Sequence, residues 1–441
     1  MKKLFTLIAF SFSAIVVFAQ NHPMVIHTNG RVASLQMTQT EFNHWNDSDD
    51  YNNPNIRTPL VQDIYRKFKD DFDFIFLVYN NATRPTNLTY AGQLIGVSNA
   101  ITGTGAGIYS QASTYGSAGK LKSLMSLTQN TDMLFGPSLH ELMHNWGNFT
   151  LNTSCFDPFG PGSGTFNFQP HWGISGCGGQ LGGFDQSTLQ TNVGGNPNQY
   201  SAGVNGHAGF GQFANGGNSL PFSNYELYLM GLIPKDSITT FDVFRDITAS
   251  NSTAGTFTAA TRITYDKTKV VTEFGERTPT PLTSPKSFRV LVLVLTPAAL
   301  TPTEWTMYDE QVEKFSRPAS EGTTLYNFWE ATGGRATLDM GNLQGSVGIE
   351  ETAEQSLTDI TLYPNPVTDK VTLTFESKGK MDVTCELTDN MGRVINTQQI
   401  AVSNGLNTIT PELPALSTGV YFMRLHNEST SVVKRVVVSN E

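Results

Sequence analysis

Residues 135–147 read Phe-Gly-Pro-Ser-Leu-His-Glu-Leu-Met-His-Asn-Trp-Gly. Pro137 suits the first turn of a helix and Gly147 a left-handed stop after it, so the segment predicts one short helix. On that helix His140 and His144 are four residues apart and lie one above the other. Their ring nitrogens can then reach one ion at about 2.0–2.1 Å, the bond length zinc prefers. Glu141 sits a step further round, placed to contact a water in an open coordination position. The chemistry such a set supports is hydrolysis. Zinc lowers the pKa of the water and polarises a carbonyl, while the carboxylate carries the proton to the leaving group.

The His140-Glu141-x-x-His144 pattern resembles the HExxH motif of the zincin metallopeptidases. With eight histidines in 441 residues, a chance match is rare. The plain alternative is a surface helix whose polar residues face solvent. Catalytic zinc normally takes three protein ligands. In metzincins the pattern continues as HExxHxxGxxH, and this chain follows it as far as Gly147. Thr150 then stands at the third-ligand position, where it is no zinc donor. His171, in Gln169-Pro170-His171-Trp172-Gly173, is the leading replacement, because Pro170 and Gly173 let a loop turn sharply under the helix. His207, Glu226 (gluzincins use a glutamate from a later helix) and Asp185 stay open. So does a His171 that merely stacks on Trp172.

Residues 222–232, Phe-Ser-Asn-Tyr-Glu-Leu-Tyr-Leu-Met-Gly-Leu, resemble a segment that follows HExxH and a His-Trp pair in some secreted zincin-like proteins. The resemblance implies that Leu229-Met230-Gly231 plays the part of a Met-turn beneath the metal. Plain core packing would explain the same apolar residues. Tyr225 or Tyr228 is a candidate oxyanion stabiliser.

The elements around the motif are legible in outline. Residues 59–68 carry Leu60, Ile64, Tyr65 and Phe68 near one face and predict an amphipathic helix. Residues 72–78 and 288–295 are almost wholly apolar and predict strands covered on both sides. Residues 90–97, 107–111 and 121–127 are further strand candidates, and 107–111 is the expected edge along which a peptide would add a strand. Pro302 followed by 304–315 predicts a helix. Residues 155–222 are rich in Gly, Asn, Phe and Gln, a long loop region whose aromatics argue for a function.

Composition narrows the class. Hydrophobic content of 39% excludes a largely disordered chain, and a net charge of −10 with no basic block argues against a nucleic-acid partner. Lys2 and Lys3, the apolar run 4–17, and Val17 and Ala19 before Gln20 predict a signal peptide over residues 1–19. Such a chain meets an oxidising compartment, so Cys155 and Cys177 are expected to pair, and Cys385 reads as a buried thiol. Asp47, Asp49 and Asp50 within 46–53 offer oxygen ligands for a structural Ca2+, though without EF-hand spacing; a solvated loop is the simpler reading. Residues 103–107 are glycine-rich, but no phosphate loop follows, so they read as a turn.

From residue 357 the text becomes short alternating strands, with Asp389-Asn390-Met391-Gly392 as a hairpin turn. Tyr363-Pro364-Asn365-Pro366, that turn, Leu416, Gly419, Val420, Tyr421 and residues 434–438 resemble the C-terminal sorting domain of the type IX secretion system of Bacteroidetes. An accessory β-domain that binds glycan is the alternative.

The expected architecture is α+β: a zincin-like catalytic domain (20–345) with a twisted mixed sheet and an active-site helix, a linker (346–356), and an all-β sandwich (357–441). The expected site is Glu141 as proton carrier with His140, His144 and His171 on one Zn2+. The expected function is a zinc endopeptidase, secreted or on the outer-membrane surface. Its partners would be a protein or peptide substrate and the type IX machinery, with no nucleic acid and a monomeric chain. A non-catalytic adhesin or glycan binder on a zincin scaffold is the rival.

Overall fold

Two runs decide the centre of the fold. Phe-Ile-Phe-Leu-Val-Tyr at Phe74–Tyr79 is buried at every position, and Ser287–Thr296 is buried at eight of its ten. Strands covered on both faces belong in the middle of a parallel sheet flanked by helices. A computed structural model of the protein bears this out; it describes residues 22–151, 171–204, 207–208, 217–251, 254–347, 357–389, 393–427 and 431–439. The expected signal segment lies outside the described residues, as do Cys155 and residues 390–392 of the expected hairpin turn. The chain divides into two units, Met1–Gly348 and Ile349–Glu441.

The first unit is built on a seven-stranded mixed sheet. In chain order its first strands are β1 (Met24–Ile26), β2 (Ala33–Gln36), β3 (Phe74–Tyr79) and β4 (Gly92–Gly96). A small hairpin of β5 (Ser98–Asn99) and β6 (Tyr109–Ser110) follows outside the sheet, before β7 (Ser123–Leu127), β8 (Ser287–Thr296) and β9 (Thr337–Asp339) complete it. The spatial order is β1-β2-β8-β3-β7-β4, with β9 beside β8. The contacts of β8 with β2, β3 and β9 and of β3 with β7 are parallel; β4 runs antiparallel to β7 at one edge. The sheet edge is therefore 92–96, and the expected edge at 107–111 instead forms half of the hairpin. Tyr109 and Ser110 are exposed and lack the apolar face that a sheet position against the core demands.

Alternation along the strands splits the core in two. Phe74, Phe76, Val78, Val290, Val292 and Val294 point to one face. Ile75, Leu77, Tyr79, Leu291, Leu293 and Leu295 point to the other. The second face takes α1 (Pro54–Lys67) through Leu60, Val61 and Ile64. This helix starts one turn before the periodicity suggests, with Pro54 in its first turn behind an Asn53 cap. The first face takes the motif helix α2 (Ser138–Gly147) through Leu139, Leu142 and Met143, the short α3 (Asn224–Leu229), and α4 (Pro302–Ser316) through Tyr308, Val312 and Phe315. Each such side chain taken out of water contributes about 1.5–3 kcal/mol. Trp146 ties α2 to the sheet, its ring edge-on to Phe74 at 6.0 Å and to Phe288 at 5.5 Å.

The second unit holds a three-stranded sheet (Leu357–Tyr363, Thr372–Ser377, Gly405–Ile409) and a four-stranded one (Met381–Asp389, Val394–Val402, Gly419–His426, Ser431–Val438), all antiparallel. Inward residues such as Phe375, Val383, Leu425 and Val436 share one core. Cys385 is buried there, and burial pushes its thiol up to about 11.

Candidate metal centre

Helix α2 is short and begins where the chain turns hard. Its first N–H groups need acceptors from elsewhere. Asn218 supplies one: its Oδ1 accepts from the Leu139 N–H at 3.1 Å, and its Nδ2 donates to the carbonyls of Met133 and Leu134 at 3.0 and 2.9 Å. Asn218 is fully buried, so this amide works as an internal cap. Gly147 is still helical and has no left-handed backbone. Its requirement is closeness: a Cβ there would overlap Leu181 and press on Trp172. The segment carrying His171 packs directly on the end of the helix.

His140, His144 and His171 come together as a group of ligand spacing, each facing the others with one ring nitrogen. The Nε2 atoms of His140 and His171 are 3.1 Å apart, and those of His140 and His144 are 3.2 Å apart. Tetrahedral zinc with bonds of about 2.0–2.1 Å separates its ligand nitrogens by about 3.3 Å. His171 stacks on His140 (5.0 Å, 14°) and not on Trp172, whose ring meets Tyr225 at 5.3 Å.

The other ring nitrogens fix the tautomers. His140 Nδ1 is 2.5 Å from the Gln180 carbonyl oxygen, and His144 Nδ1 is 2.6 Å from Asn148 Oδ1. An Nδ1–H donating to each acceptor leaves both Nε2 lone pairs turned inward. Burial lowers the pKa of His140 to about 4 and of His171 to about 3, the latter also through His140; burial, then its two neighbours, holds His144 well below the usual range. Neutral imidazoles with converging lone pairs fit a cation.

Glu141 is buried beside them, and burial pushes its carboxyl up to about 8 against a hydrogen bond from the Leu94 backbone. It abuts the sheet edge: a Cβ on Gly92 would lie 2.8 Å from Glu141 Cγ and from Pro137 Cγ. Gly92 is needed there to let the strand pass.

The remaining candidates fall elsewhere. Glu226 is fully buried and caps α3, its Oε1 accepting from the Leu181 N–H at 2.9 Å and its Oε2 from the Ser223 N–H at 2.7 Å. Burial pushes this carboxyl up to about 7. It therefore braces the backbone next to Gln180, one step behind His140, and is not in the group of ligand spacing. Asp185 caps a short 3-10 turn, and His207 lies in a two-residue strand whose side chains are outside the described residues. Tyr228 accepts from the Arg277 N–H at 3.1 Å, and Tyr225 packs on Phe241. Met230 and Gly231 do form a turn, with Gly231 at φ 75°, and Met230 shares the core of α2. In the acidic loop at 46–53, Asp49 accepts from Tyr90 and Asn52, Asp50 faces His44, and Asp47 accepts from Asn87. In the Gly- and aromatic-rich region, Trp172, Phe184 and Tyr200 are buried in cores and do not line a surface. Cys177 is buried; the pairing expected with Cys155 lies outside the described residues.

The signals that reasoning on spacing missed are the partners of the histidines and of the helix that carries them. Gln180, Asn148 and Asn218 carry no motif. Asn148, four residues after His144, is the one whose position on the helix could have been flagged.

No curated protein matches the chain. Among solved structures, dimeric latent PorU from Porphyromonas gingivalis aligns at 19% identity over 22% of this chain and 10% of that one, with a TM-score of 0.18. A β-glucosidase from Listeria innocua in complex with isofagomine aligns at 19% identity over 19% and 16%, TM-score 0.15. An engineered protein aligns at 14% identity over 34% and 32%, TM-score 0.15. The chain thus spans between a tenth and a third of the length of these structures, and likenesses this slight carry nothing about its architecture. Among the described residues no helix is long and apolar enough to cross a membrane. Residues 361–439 match the secretion system C-terminal sorting domain, so the chain carries a signal read by the type IX secretion machinery and the protein is secreted or displayed at the cell surface.

Proposed function

We propose that the first unit is a zinc-dependent endopeptidase with a zincin-like fold, acting outside the cell on protein or peptide substrates. The observation that carries this reading is the pair of Nε2–Nε2 separations, 3.1 and 3.2 Å, among the buried His140 and His144 and the half-buried His171, with Glu141 next to His140 on the same helix. His140, His144 and His171 would hold the ion. Zinc, when bound, supplies an acidified water and a polarised carbonyl. The chain's own residues do the rest. The Gln180 carbonyl and Asn148 orient two of the rings. Glu141, kept away from solvent beside the edge strand, accepts the proton of the attacking water and hands one to the departing amine. No strand among the described residues covers the outer side of β4, and beyond the Leu94 backbone that bonds Glu141 it would offer a peptide main-chain pairing beside that carboxylate.

The test is Glu141→Gln in the full chain. Zinc stoichiometry should stay at one equivalent while casein hydrolysis falls by about 10²–10⁴-fold. Near-normal turnover by the Gln variant removes the mechanism. Zinc-free wild-type protein with no hydrolysis would favour the adhesin reading.

A further inference from the structure

Beyond Gly96 the outer side of the edge strand is already taken by the chain itself. The Gln111 N–H donates to the Val97 carbonyl at 2.8 Å, and Ser98 and Asn99 pair with Ser110 and Tyr109. Asn99 locks the hairpin from inside, its Nδ2 donating to the carbonyls of Ile101 and Gly107 at 2.9 Å each. Tyr109 folds its hydroxyl over Gly96 so closely that a Cβ there would overlap it. Between Gly92 and Gly96, no strand among the described residues pairs with that side. A peptide laid along β4 therefore passes Glu141 at the Gly92 end and meets the Tyr109 hairpin at the Gly96 end. From Gly92 to Gly96 that edge is only five residues long.

Behind the hairpin lies a cavity of about 180 Å³. It reaches from Tyr109 and Asn99 down to His144 and Asn148, with Trp146 and Phe149 among its walls. His144 apart, none of its described lining residues is acidic or basic. A cavity of about 150 Å³ holds a benzene ring, so this one has room for a single side chain of medium size. A charged side chain would lose its water there and find no counter-charge, which is costly. The amides of Asn99 and Asn148 in its wall are already bonded within the protein, and the Tyr109 hydroxyl is a neutral polar group.

We infer that the Tyr109 hairpin ends the substrate edge at Gly96, and that the cavity beside His144 takes one uncharged, medium-sized side chain of the bound peptide. The inference rests on the peptidase reading and adds its specificity. It makes the enzyme selective at one position close to the cleaved bond, on one side only.

The experiment is to map cut sites in an unbiased peptide mixture with the zinc-loaded full chain, and then with Ala106→Phe and Tyr109→Ala. Ala106 lines the cavity, so a phenylalanine there fills it. With the wild type, one position should favour uncharged medium-sized residues over Asp, Glu, Lys and Arg by about tenfold or more. Ala106→Phe should move that preference to Gly, Ala and Ser. Tyr109→Ala should let recognition extend by at least one residue past the same position, and it keeps the test alive if the Phe variant does not fold. Cleavage with an unchanged cut-site profile in both variants overturns the pocket while leaving the peptidase reading intact. A wild-type protein that holds zinc and cuts no peptide overturns the peptidase reading, and the pocket falls with it.

Discussion

The Nδ1 atom of His140 lies 2.5 Å from the carbonyl oxygen of Gln180, and the next N–H along that backbone, of Leu181, donates to Glu226. A buried carboxyl thus supports a loop that orients the His140 ring. His171 and Glu226, rivals for one coordination position on sequence grounds, have different jobs in the structure.

Their variants should separate accordingly. His171→Ala should lose its zinc on dialysis against metal-free buffer, as a site reduced to two ligands would. Glu226→Ala should weaken zinc affinity by about 10–100-fold, the usual cost of a lost outer-shell partner, yet still fill to one equivalent in excess zinc. The check is zinc stoichiometry with a competition titration. A His171→Ala protein that keeps a full equivalent while Glu226→Ala cannot be filled would exchange the two roles.

Gly92→Val puts a Cβ 2.8 Å from Glu141 Cγ and Pro137 Cγ, with two methyl groups beyond it. The strand must shift, at a cost of about 1–3 kcal/mol in stability. On the proposed mechanism peptidase activity should fall much further than zinc content, because the disturbed group is Glu141 and not one of the three histidines. Denaturant melts beside metal analysis test this. Simultaneous loss of zinc would show that the strand also supports the histidines.

Zinc-stripped protein should carry a pH signature of Glu141. Its folded pKa, about 8, lies above the ordinary carboxyl value of 4.5. The folded state therefore binds more protons than the unfolded one between those limits, and wild-type stability declines as pH rises through them. Glu141→Gln lacks that decline. The stability gained by the Gln variant should grow by at least about 1 kcal/mol between pH 5 and pH 8. Parallel stability curves for the two proteins would mean that Glu141 is solvated.

Removing residues 357–441 should stop the protein from reaching the medium or cell surface of its host. Purified truncated protein should still bind zinc, since the metal centre lies wholly in the first unit. Fractionation and a zinc assay read the two outcomes separately. Unchanged export of the truncated chain would count against the sorting role of the matched segment.

Much of the centre was legible in the chain, and for one reason: helical spacing is a geometric rule, and His140, Glu141 and His144 obey it. The buried strands at 74–79 and 287–296 were equally plain, because nothing polar interrupts them. His171 was within reach only by elimination, since a loop has no period. The strand at 92–96 lies within the candidate at 90–97, but its place at the edge was not legible, because spacing does not show what its two glycines make room for. They are there so that Glu141 and Tyr109 can come close. Gly147 was read as a turn residue for the same reason, when crowding by Leu181 is what requires it. Asn218 and Gln180 act through an amide and a main-chain carbonyl respectively, groups that no motif marks.

The central strand of the sheet, 287–296, lies between 33–36 and 74–79 although it comes some two hundred residues later in the chain. The motif helix packs on a face to which that late strand contributes Val290, Val292 and Val294. During synthesis, then, the histidines emerge long before the surface that must hold their helix. Nascent chains stopped short of residue 287 contain His140, Glu141, His144 and His171, yet lack the middle of their platform. The histidine group is in this way tied to completion of the whole unit, because the surface beneath its helix is finished only when the late strand arrives.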